Sequence, residues 1–151
     1  MRGDPLTSDP LIPWLQARGV AVVPHHLGAT PIQLGHAFCY RQIYLAWRFD
    51  AATRRVWILL VRREGERDGL ANPFAALYLL AEATLAVLGA GYELYGNVDV
   101  FRGSTLSAER LGRFYRNWTG ASEPDPGWFA LAAEQVCSRR EMRKRQKDGL
   151  A

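Results

Sequence analysis

The sequence predicts one α+β domain, in which helices pack on a mixed, mainly antiparallel sheet around a buried central helix. Three features lead to this prediction. The almost wholly apolar segment 74–88 has the length of a helix. Segments 43–49 and 56–63 are enriched in β-branched and aromatic residues and flank a short turn, which is the pattern of a β-hairpin. Segment 111–118 has apolar residues at helical spacing.

The N-terminal part is predicted to contain a short helix and a short strand. Residues 1–8 are expected to be disordered, and Asp9 followed by Pro10 can begin a helix that Gly19 ends. Residues 20–23 are apolar and form a strand candidate. Pro24 is expected to end that strand, because proline cannot donate to a strand ladder, and residues 24–31 have the composition of a loop.

Two or three strands are predicted between residues 32 and 63. Segments 32–40 and 43–49 both alternate apolar residues with smaller or polar ones, and residues 50–53 form a turn. The return strand is predicted at 56–63. Apolar residues on both of its faces favour a central strand that is covered on each side.

The apolar segment after the hairpin is predicted to be the buried central helix. Asn72 can cap it, Pro73 suits its first position, and Gly89 can end it in a left-handed conformation. Only Glu82 and Thr84 are strongly polar, so the helix has almost no polar face. At about 16 residues it is shorter than the roughly 20 that a bilayer requires, so no membrane span is predicted.

The C-terminal third is predicted to contain a strand at 92–101 and two further helices. Ser107 is a candidate cap for the first helix, whose apolar face includes Trp118 and which ends at Gly120. Asp125–Pro126 is expected to begin the last helix, which docks through its first half. The predicted organisation is therefore a disordered N-terminus over 1–8, one α+β domain over 9–137 and a basic helical tail over 138–151.

The basic tail holds all the net charge of the chain. There are 19 Lys and Arg and 15 Asp and Glu, and residues 138–151 contain six of the former and two of the latter. Residues 1–137 are therefore neutral, so the pI of about 9.4 says nothing about a basic groove on the domain. The tail could bind phosphates, so a nucleic-acid-binding regulator is kept as an alternative, but its charges have no aromatic residues among them. Its candidate binding residues are Arg139, Arg140, Arg143 and Lys144.

No residue pattern predicts a metal site, and no cofactor is predicted. His36 and Cys39 would point to opposite faces of one strand, so they do not form a local ligand pair. Cys39 and Cys137 are far apart and form no CxxC or zinc-ribbon spacing, so a reducing cytoplasm is the default expectation. The common hydrolase, kinase and metalloprotease motifs do not occur.

One enzymatic alternative remains, an acyltransferase of the GNAT type. The strand, loop, helix and strand before RFYRNWTG are similar to the second half of that fold. The segment 62–73 would then hold the cofactor pyrophosphate, but Glu64, Glu66 and Asp68 oppose phosphate binding there. We therefore predict that the chain is not an enzyme, and keep an acyltransferase or a degenerate acyl-CoA- or acyl-carrier-binding protein as the alternative.

Several long strings of the chain resemble the LcrR family of type III secretion regulators. They are DPLIPWLQARGVAVVPH, LAWRFD, LANPFAALYLLAEA, LYGNV and RLGRFYRNWTGA, which together run over most of residues 9–130. The resemblance implies a cytoplasmic bacterial protein that affects the low-calcium response through protein partners. It implies no catalytic residues. We therefore expect a regulator that binds a protein of the secretion control machinery, in a chaperone-like manner, with a homodimer left open.

Aromatic side chains are the expected anchors of such a contact, because Trp, Tyr and Arg dominate interface energetics. The chain has five Trp and six Tyr. We predict that part of one set lies at a partner or dimer contact: Trp14, Tyr40, Trp118 and Trp128.

Overall fold

The computed structural model describes residues 9–64, 73–97 and 128–138 of the chain. Its elements are helix α1 (Leu11–Ala17), strands β1 (Val22–His26), β2 (Gln33–Tyr40), β3 (Ile43–Asp50) and β4 (Arg55–Arg63), helix α2 (Pro73–Leu88), and strands β5 (Glu93–Asn97) and β6 (Trp128–Ala132). Residues 133–138 are helical.

The six strands form one sheet in the order β1-β2-β3-β4-β5-β6. Neighbouring strands are antiparallel except for β4 and β5, which are parallel. A parallel pair requires a crossover connection, and the connection from β4 to β5 contains α2. The predicted α+β class with a mixed, mainly antiparallel sheet is confirmed.

One face of the sheet, the helix face, packs against α1 and α2. In β3 the side chains of Leu45 and Trp47 are fully buried, and so are Leu77 and Leu80 of α2. Strand side chains alternate between faces, so every second residue of β3 lies on this side. Burying an aliphatic or aromatic side chain of this size contributes about 1.5–3 kcal/mol, so this face stabilises the fold.

Helix α2 begins and ends where the sequence predicts. Pro73 is its first residue, and Gly89 follows its last with a φ of 78° and donates its N–H to the carbonyl oxygen of Leu85 at 3.0 Å. Thr84 is fully buried, and its hydroxyl donates to the carbonyl oxygen of Leu80 at 2.7 Å, so it needs no partner outside the helix. In the described part of the chain, no helix has both the length and the apolar character to cross a membrane.

The predicted β3–β4 hairpin is also present, and Asp50 stabilises its turn. The Asp50 carboxylate accepts hydrogen bonds from the Thr53 hydroxyl at 2.8 Å and from the Ala52 N–H at 3.1 Å. The bond from Thr53 lowers the pKa of Asp50 below its usual range. Strand β4 lies between β3 and β5, which is the predicted interior position. Val56, Ile58 and Val61 of β4 are buried, and Trp57, on the other face of the strand, is half-buried.

Two sequence predictions about strands are wrong. Pro24 does not end the first strand but lies inside β1, paired with His36, and His25 and His26 belong to this strand instead of a loop. Because β1 is at the edge of the described sheet, a residue without an N–H is tolerated there.

The second error concerns Trp128–Ala132, which was expected to be helical. This segment is β6, paired antiparallel with β5, and the helix begins only at residue 133. Phe129 and Leu131 alternate onto the helix face and are buried, so the same five residues satisfy a strand pattern. Pairing with β5 decides between the two patterns.

Other predictions lie outside the described residues. They are the disordered segment predicted at 1–8, the Asn72 cap, the part of the predicted 92–101 strand after Asn97, the helix capped by Ser107, and the tail beyond residue 138. The domain boundaries after residue 8 and before residue 138 therefore stay predictions.

Candidate interaction surface and adjoining cleft

The exposed large apolar side chains of the described residues all lie in the β1–β2 hairpin, at one edge of the described sheet. Val23 is 46% exposed, Leu27 50% and Ile32 55%. Val23 is in β1, and the other two are in the turn that connects β1 to β2. We call these three residues the hairpin patch. Concentrated exposed apolar side chains are a feature of surfaces that bind another molecule.

Local hydrogen bonds hold the turn that carries the hairpin patch. The Leu27 N–H donates to the carbonyl oxygen of Ile32 at 2.8 Å, and the hydroxyl of Thr30 donates to the carbonyl oxygen of Leu27 at 2.6 Å. The backbone N–H of Ile32 in turn donates to Oγ1 of Thr30 at 3.3 Å. Leu27 and Ile32 are therefore fixed at the base of the turn with their side chains in water.

A cleft of about 460 Å³ adjoins the patch. It lies on the outer face of the sheet, opposite the helix face, because Tyr44 alternates with the buried Ile43 and Leu45 along β3. Leu27 belongs to both the hairpin patch and the cleft. The lining residues come from β1, the turn, β2, β3 and β4: Pro24, His25, His26, Leu27, Gly28, Leu34, Tyr44, Leu60 and Arg62.

A chain of polar contacts crosses the cleft from β1 to β4. Nδ1 of His25 and the Tyr44 hydroxyl are hydrogen-bonded at 2.8 Å. The Arg62 guanidinium lies 4.3 Å from the centroid of the Tyr44 ring, a cation–π contact. Nη2 and Nε of Arg62 donate to Oε1 of Glu64 at 2.8 and 2.9 Å. These contacts fix the orientation of the guanidinium.

Small residues let Tyr44 reach His25 across β2. Gly35 is opposite His25 in the β1–β2 register, and Ala37 is opposite Ala46 in the β2–β3 register, all on the outer face. Both alanines are fully buried, as expected if a larger side chain lies over them. The register of β1 and β2 also shifts between His25 and His26, which is a β-bulge.

The two hydrogen-bonded side chains favour their neutral forms. Partial burial lowers the pKa of His25, and the nearby positive charge of Arg62 lowers it further. Partial burial raises the pKa of Tyr44, which Arg62 opposes. At neutral pH the fixed positive charge of the cleft is therefore that of Arg62. The cleft lining contains hydrogen-bond donors and no carboxylate.

A second cluster on the outer face consists of aromatic rings and one arginine. Tyr95 stacks on Trp128 with ring centroids 5.6 Å apart, and Trp57 meets Tyr95 edge-on at 4.8 Å. The Arg55 guanidinium lies 4.0 Å from the Tyr95 ring centroid. Tyr95 is buried and the two tryptophans are half-buried, so these rings pack mainly on one another.

Comparison with known proteins gives the family of the chain. The family model described as type III secretion system regulator (LcrR) matches residues 8–147. The chain belongs to the LcrR family. The low calcium response locus proteins R of Yersinia pestis, Yersinia pseudotuberculosis serotype I (strain IP32953) and Yersinia enterocolitica are each 55% identical to it over 146 residues, which is 97% of this chain and 100% of each relative. No solved structure matches.

The resemblance drawn from the sequence strings is therefore confirmed, and the protein is a type III secretion regulator of the LcrR family. The segment 62–73, which was considered for an acyl-CoA pyrophosphate, is described only at its ends, Arg62 to Glu64 and Pro73.

The aromatic anchors predicted for this LcrR-family chain are not one surface in the described residues. Trp14 is half-buried on α1, with the Arg18 guanidinium 3.5 Å from its ring centroid. Tyr40 is half-buried at the end of β2 and packs against the core of the helix face, whereas Trp128 belongs to the outer-face cluster. The remaining predicted residues lie outside the described part: Trp118, Arg139, Arg140, Arg143 and Lys144.

The histidines and cysteines considered for metal binding are also placed apart. His36 is buried in the core, with its ring centroid 6.0 Å from that of Trp47, while Cys39 is exposed. In residues 9–64, 73–97 and 128–138, no three His, Cys, Asp or Glu side chains are grouped as metal ligands would be.

Sequence reasoning missed the cleft residues of this LcrR-family regulator. Tyr44 and Arg62 both lie in strands that were predicted, but the hairpin register shifts between Ala46 and Trp47, and only this β-bulge places Tyr44 opposite Arg62. His25 could not be added, because Pro24 was taken as the end of its strand. The hairpin patch was missed because Leu27 was assigned to the predicted loop 24–31 and Ile32 to the start of the predicted strand 32–40.

Proposed function

We propose that this LcrR-family regulator acts by binding a protein of the type III secretion control machinery, with the hairpin patch as its contact surface. The observation that supports this proposal is that the exposed large apolar side chains of the described residues, Val23, Leu27 and Ile32, all belong to the edge hairpin β1–β2. Removing these side chains from water favours association, because apolar burial is the main driving force of protein binding. The ordered turn reduces the entropy cost of contact.

The finer proposal is chaperone-like action toward one secretion-control protein in the bacterial cytoplasm. An apolar patch can cover an apolar segment of such a protein before it is used or exported. The relatives are named for the low-calcium response, and we propose that this chain serves the same response. A homodimer through the patch is the competing use of the same surface.

The experiment is affinity capture of the tagged full-length protein from its own host, under inducing and non-inducing conditions, with and without nuclease. The variants are Leu27→Ser and Ile32→Ser, with Ala17→Ser on the exposed surface of α1 as the matched control. A stoichiometric secretion-control protein should be recovered with the unchanged protein and the control. Each patch variant should reduce recovery, with affinity falling about tenfold or more, as expected for an apolar side chain lost from a contact.

Three results would contradict the proposal. The first is full recovery of the partner and normal secretion control with both patch variants. The second is nuclease-sensitive recovery of many unrelated proteins, which would indicate nucleic acid. The third is a dimer in sedimentation that the patch variants convert to a monomer without any effect on secretion.

A further inference from the structure

We infer that the cleft beside the hairpin patch binds an acidic side chain of the protein segment that covers the patch. This inference rests on the proposed function, because the occupant is a segment of the same partner. The cleft and the patch then have separate roles. The patch supplies apolar contact, whereas the cleft selects partners that carry a carboxylate at the correct distance.

The charge of the cleft favours a carboxylate. Arg62 brings a permanent positive charge, and His25 and His26 bring ring nitrogens, while no lining residue is acidic. Glu64 accepts hydrogen bonds from Nε and Nη2 of Arg62, so the N–H groups of Nη1 are directed away from that ion pair. A guanidinium has five N–H groups and can serve two carboxylates at once.

The guanidinium is oriented before a ligand arrives. Its stacking on Tyr44 at 4.3 Å and its bonds to Glu64 hold the plane of the group, and His25 holds Tyr44 in turn. An arginine that is already oriented loses less entropy on binding, which raises affinity and specificity.

The size and the walls of the cleft suit a side chain from an extended segment. A volume of about 460 Å³ is at the lower end of the range for small-ligand sites, roughly 300–1,000 Å³. Leu34 and Leu60 are apolar lining residues that can pack against the methylene groups of a glutamate. Leu27 lines both the cleft and the patch, so a segment that packs on Leu27 reaches both.

Strand addition to β1 is a poorer use of this edge. Within the described residues β1 pairs only with β2, which leaves its other side without a strand partner. However, Pro24 has no N–H to donate in the middle of a five-residue strand, and proline is one of the devices that protect sheet edges from pairing. Recognition through side chains therefore fits the edge better than recognition through the backbone.

The first test is an NMR titration of the full-length protein with the peptide N-acetyl-Leu-Glu-Leu-amide. The matched control peptide has Gln in place of Glu, and inorganic phosphate is titrated separately. Signals of the His25 and His26 rings and of Arg62 Nε are followed. The acidic peptide should cause saturable shifts with a Kd on the order of millimolar, and the Gln peptide should bind at least about tenfold more weakly.

The variant Arg62→Gln should abolish these shifts. Its matched control is Arg48→Gln, since Arg48 is exposed on the outer face of β3 but does not line the cleft. Arg62 is also exposed, so the variant should fold, which its Tm verifies. Equal binding of the two peptides, an equal effect of Arg48→Gln, or phosphate binding as tight as that of the acidic peptide would overturn the inference.

Failure of this inference can be told apart from failure of the proposed function. In the capture experiment, Arg62→Gln should reduce partner recovery while Arg48→Gln leaves it unchanged. Loss of the partner with Leu27→Ser but full recovery with Arg62→Gln would keep the hairpin patch and overturn the role of the cleft. Full recovery with all of these variants would overturn both.

Discussion

The carboxylate of Asp9 connects the start of α1 to the sheet, because it accepts the indole N–H of Trp47 at 2.8 Å. Its other oxygen accepts the backbone N–H of Leu11 at 2.8 Å. Asp9 is 5% exposed and Trp47 is fully buried. Each partner therefore satisfies a polar group that has lost its contact with water, and the pair fixes α1 on the helix face.

Removing one partner of this pair should be strongly destabilising. We expect Asp9→Ala to lower the free energy of unfolding by about 1–3 kcal/mol, because the indole N–H and the Leu11 N–H are left buried without an acceptor. In a double-mutant cycle with Trp47→Phe, measured by urea unfolding, the coupling should lie at about 0.5–3 kcal/mol. Additive effects of the two substitutions would show that the bond contributes nothing.

The pKa of Asp9 predicts an unusual dependence of stability on pH. Burial raises this pKa above the ordinary value of 3.8, and hydrogen bonds from Leu11 and Trp47 only partly oppose the effect. The folded state then binds the proton more tightly than the unfolded state, so the Asp9 contribution is present at low pH and is lost as pH rises from 3.8 through the folded pKa.

Urea unfolding of the unchanged protein and of Asp9→Asn across about pH 3 to 7 tests this prediction. The stability of the unchanged protein minus that of the variant should fall as pH rises through this window. A difference that rises with pH, as for an ordinary salt-bridged carboxylate, would contradict the raised pKa.

His25 should titrate below its ordinary value of 6.5, since partial burial and the charge of Arg62 both disfavour its protonated form. Its contribution to stability is therefore present above pH 6.5 and is lost as pH falls through the folded pKa. NMR titration of the ring measures this directly. The pKa should rise in Arg62→Gln and stay unchanged in Arg48→Gln; a value at or above 6.5 in the unchanged protein would contradict the account.

Gly35→Ala should destabilise the sheet more than Gly96→Ala. A Cβ at position 35 would meet the backbone carbonyl oxygen of Trp47 in the neighbouring strand, which cannot move without disturbing the ladder. At position 96 the nearest atoms are Cζ of Phe129 at 3.0 Å and the backbone carbonyl oxygen of Ile58 at 3.1 Å, tight contacts that a shift of a few tenths of an ångström would relieve. Overpacking lowers the free energy of unfolding by about 1–3 kcal/mol and occasionally more. We expect the loss caused by Gly35→Ala to lie at or above the upper end of this range. Equal urea midpoints for the two variants would contradict this order.

Gly89→Ala should cost about 1–2 kcal/mol through backbone conformation alone. Gly89 has a φ of 78°, and a Cβ there would find no atom within 4 Å. Gly19 has the same φ and equally open surroundings, so Gly19→Ala is its matched comparison and should cost a similar amount. Thermal unfolding of both variants checks the prediction, and unchanged Tm values would show that neither position requires glycine.

The sequence predicted best the elements that are specified by their own residues. The bounds of α2 follow from Pro73 and Gly89, which act on the helix ends directly. The β3–β4 hairpin follows from β-branched and aromatic residues on both sides of the turn at Asp50. Both signals are local, so no knowledge of the rest of the chain was needed.

The failures concern features that depend on distant residues. Trp128–Ala132 fits a helix or a strand, and only pairing with β5 selects the strand. A proline ends a strand in most sheets, but Pro24 lies in β1, at the edge of the described sheet, where a residue without an N–H is tolerated. The contact of His25 with Tyr44 depends on a bulge and on the small Gly35 between them, which no spacing in the sequence reveals.

The position of α2 in the chain has a consequence for synthesis on the ribosome. Strands β1 to β4 are complete at Arg63, but the helix that covers Leu45 and Trp47 ends only at Leu88. At about 5–20 residues per second, translation of the residues between these points takes roughly 1–5 seconds. During that interval α2 does not yet exist to cover the apolar residues of β1 to β4, so this is when the growing chain is most exposed to aggregation.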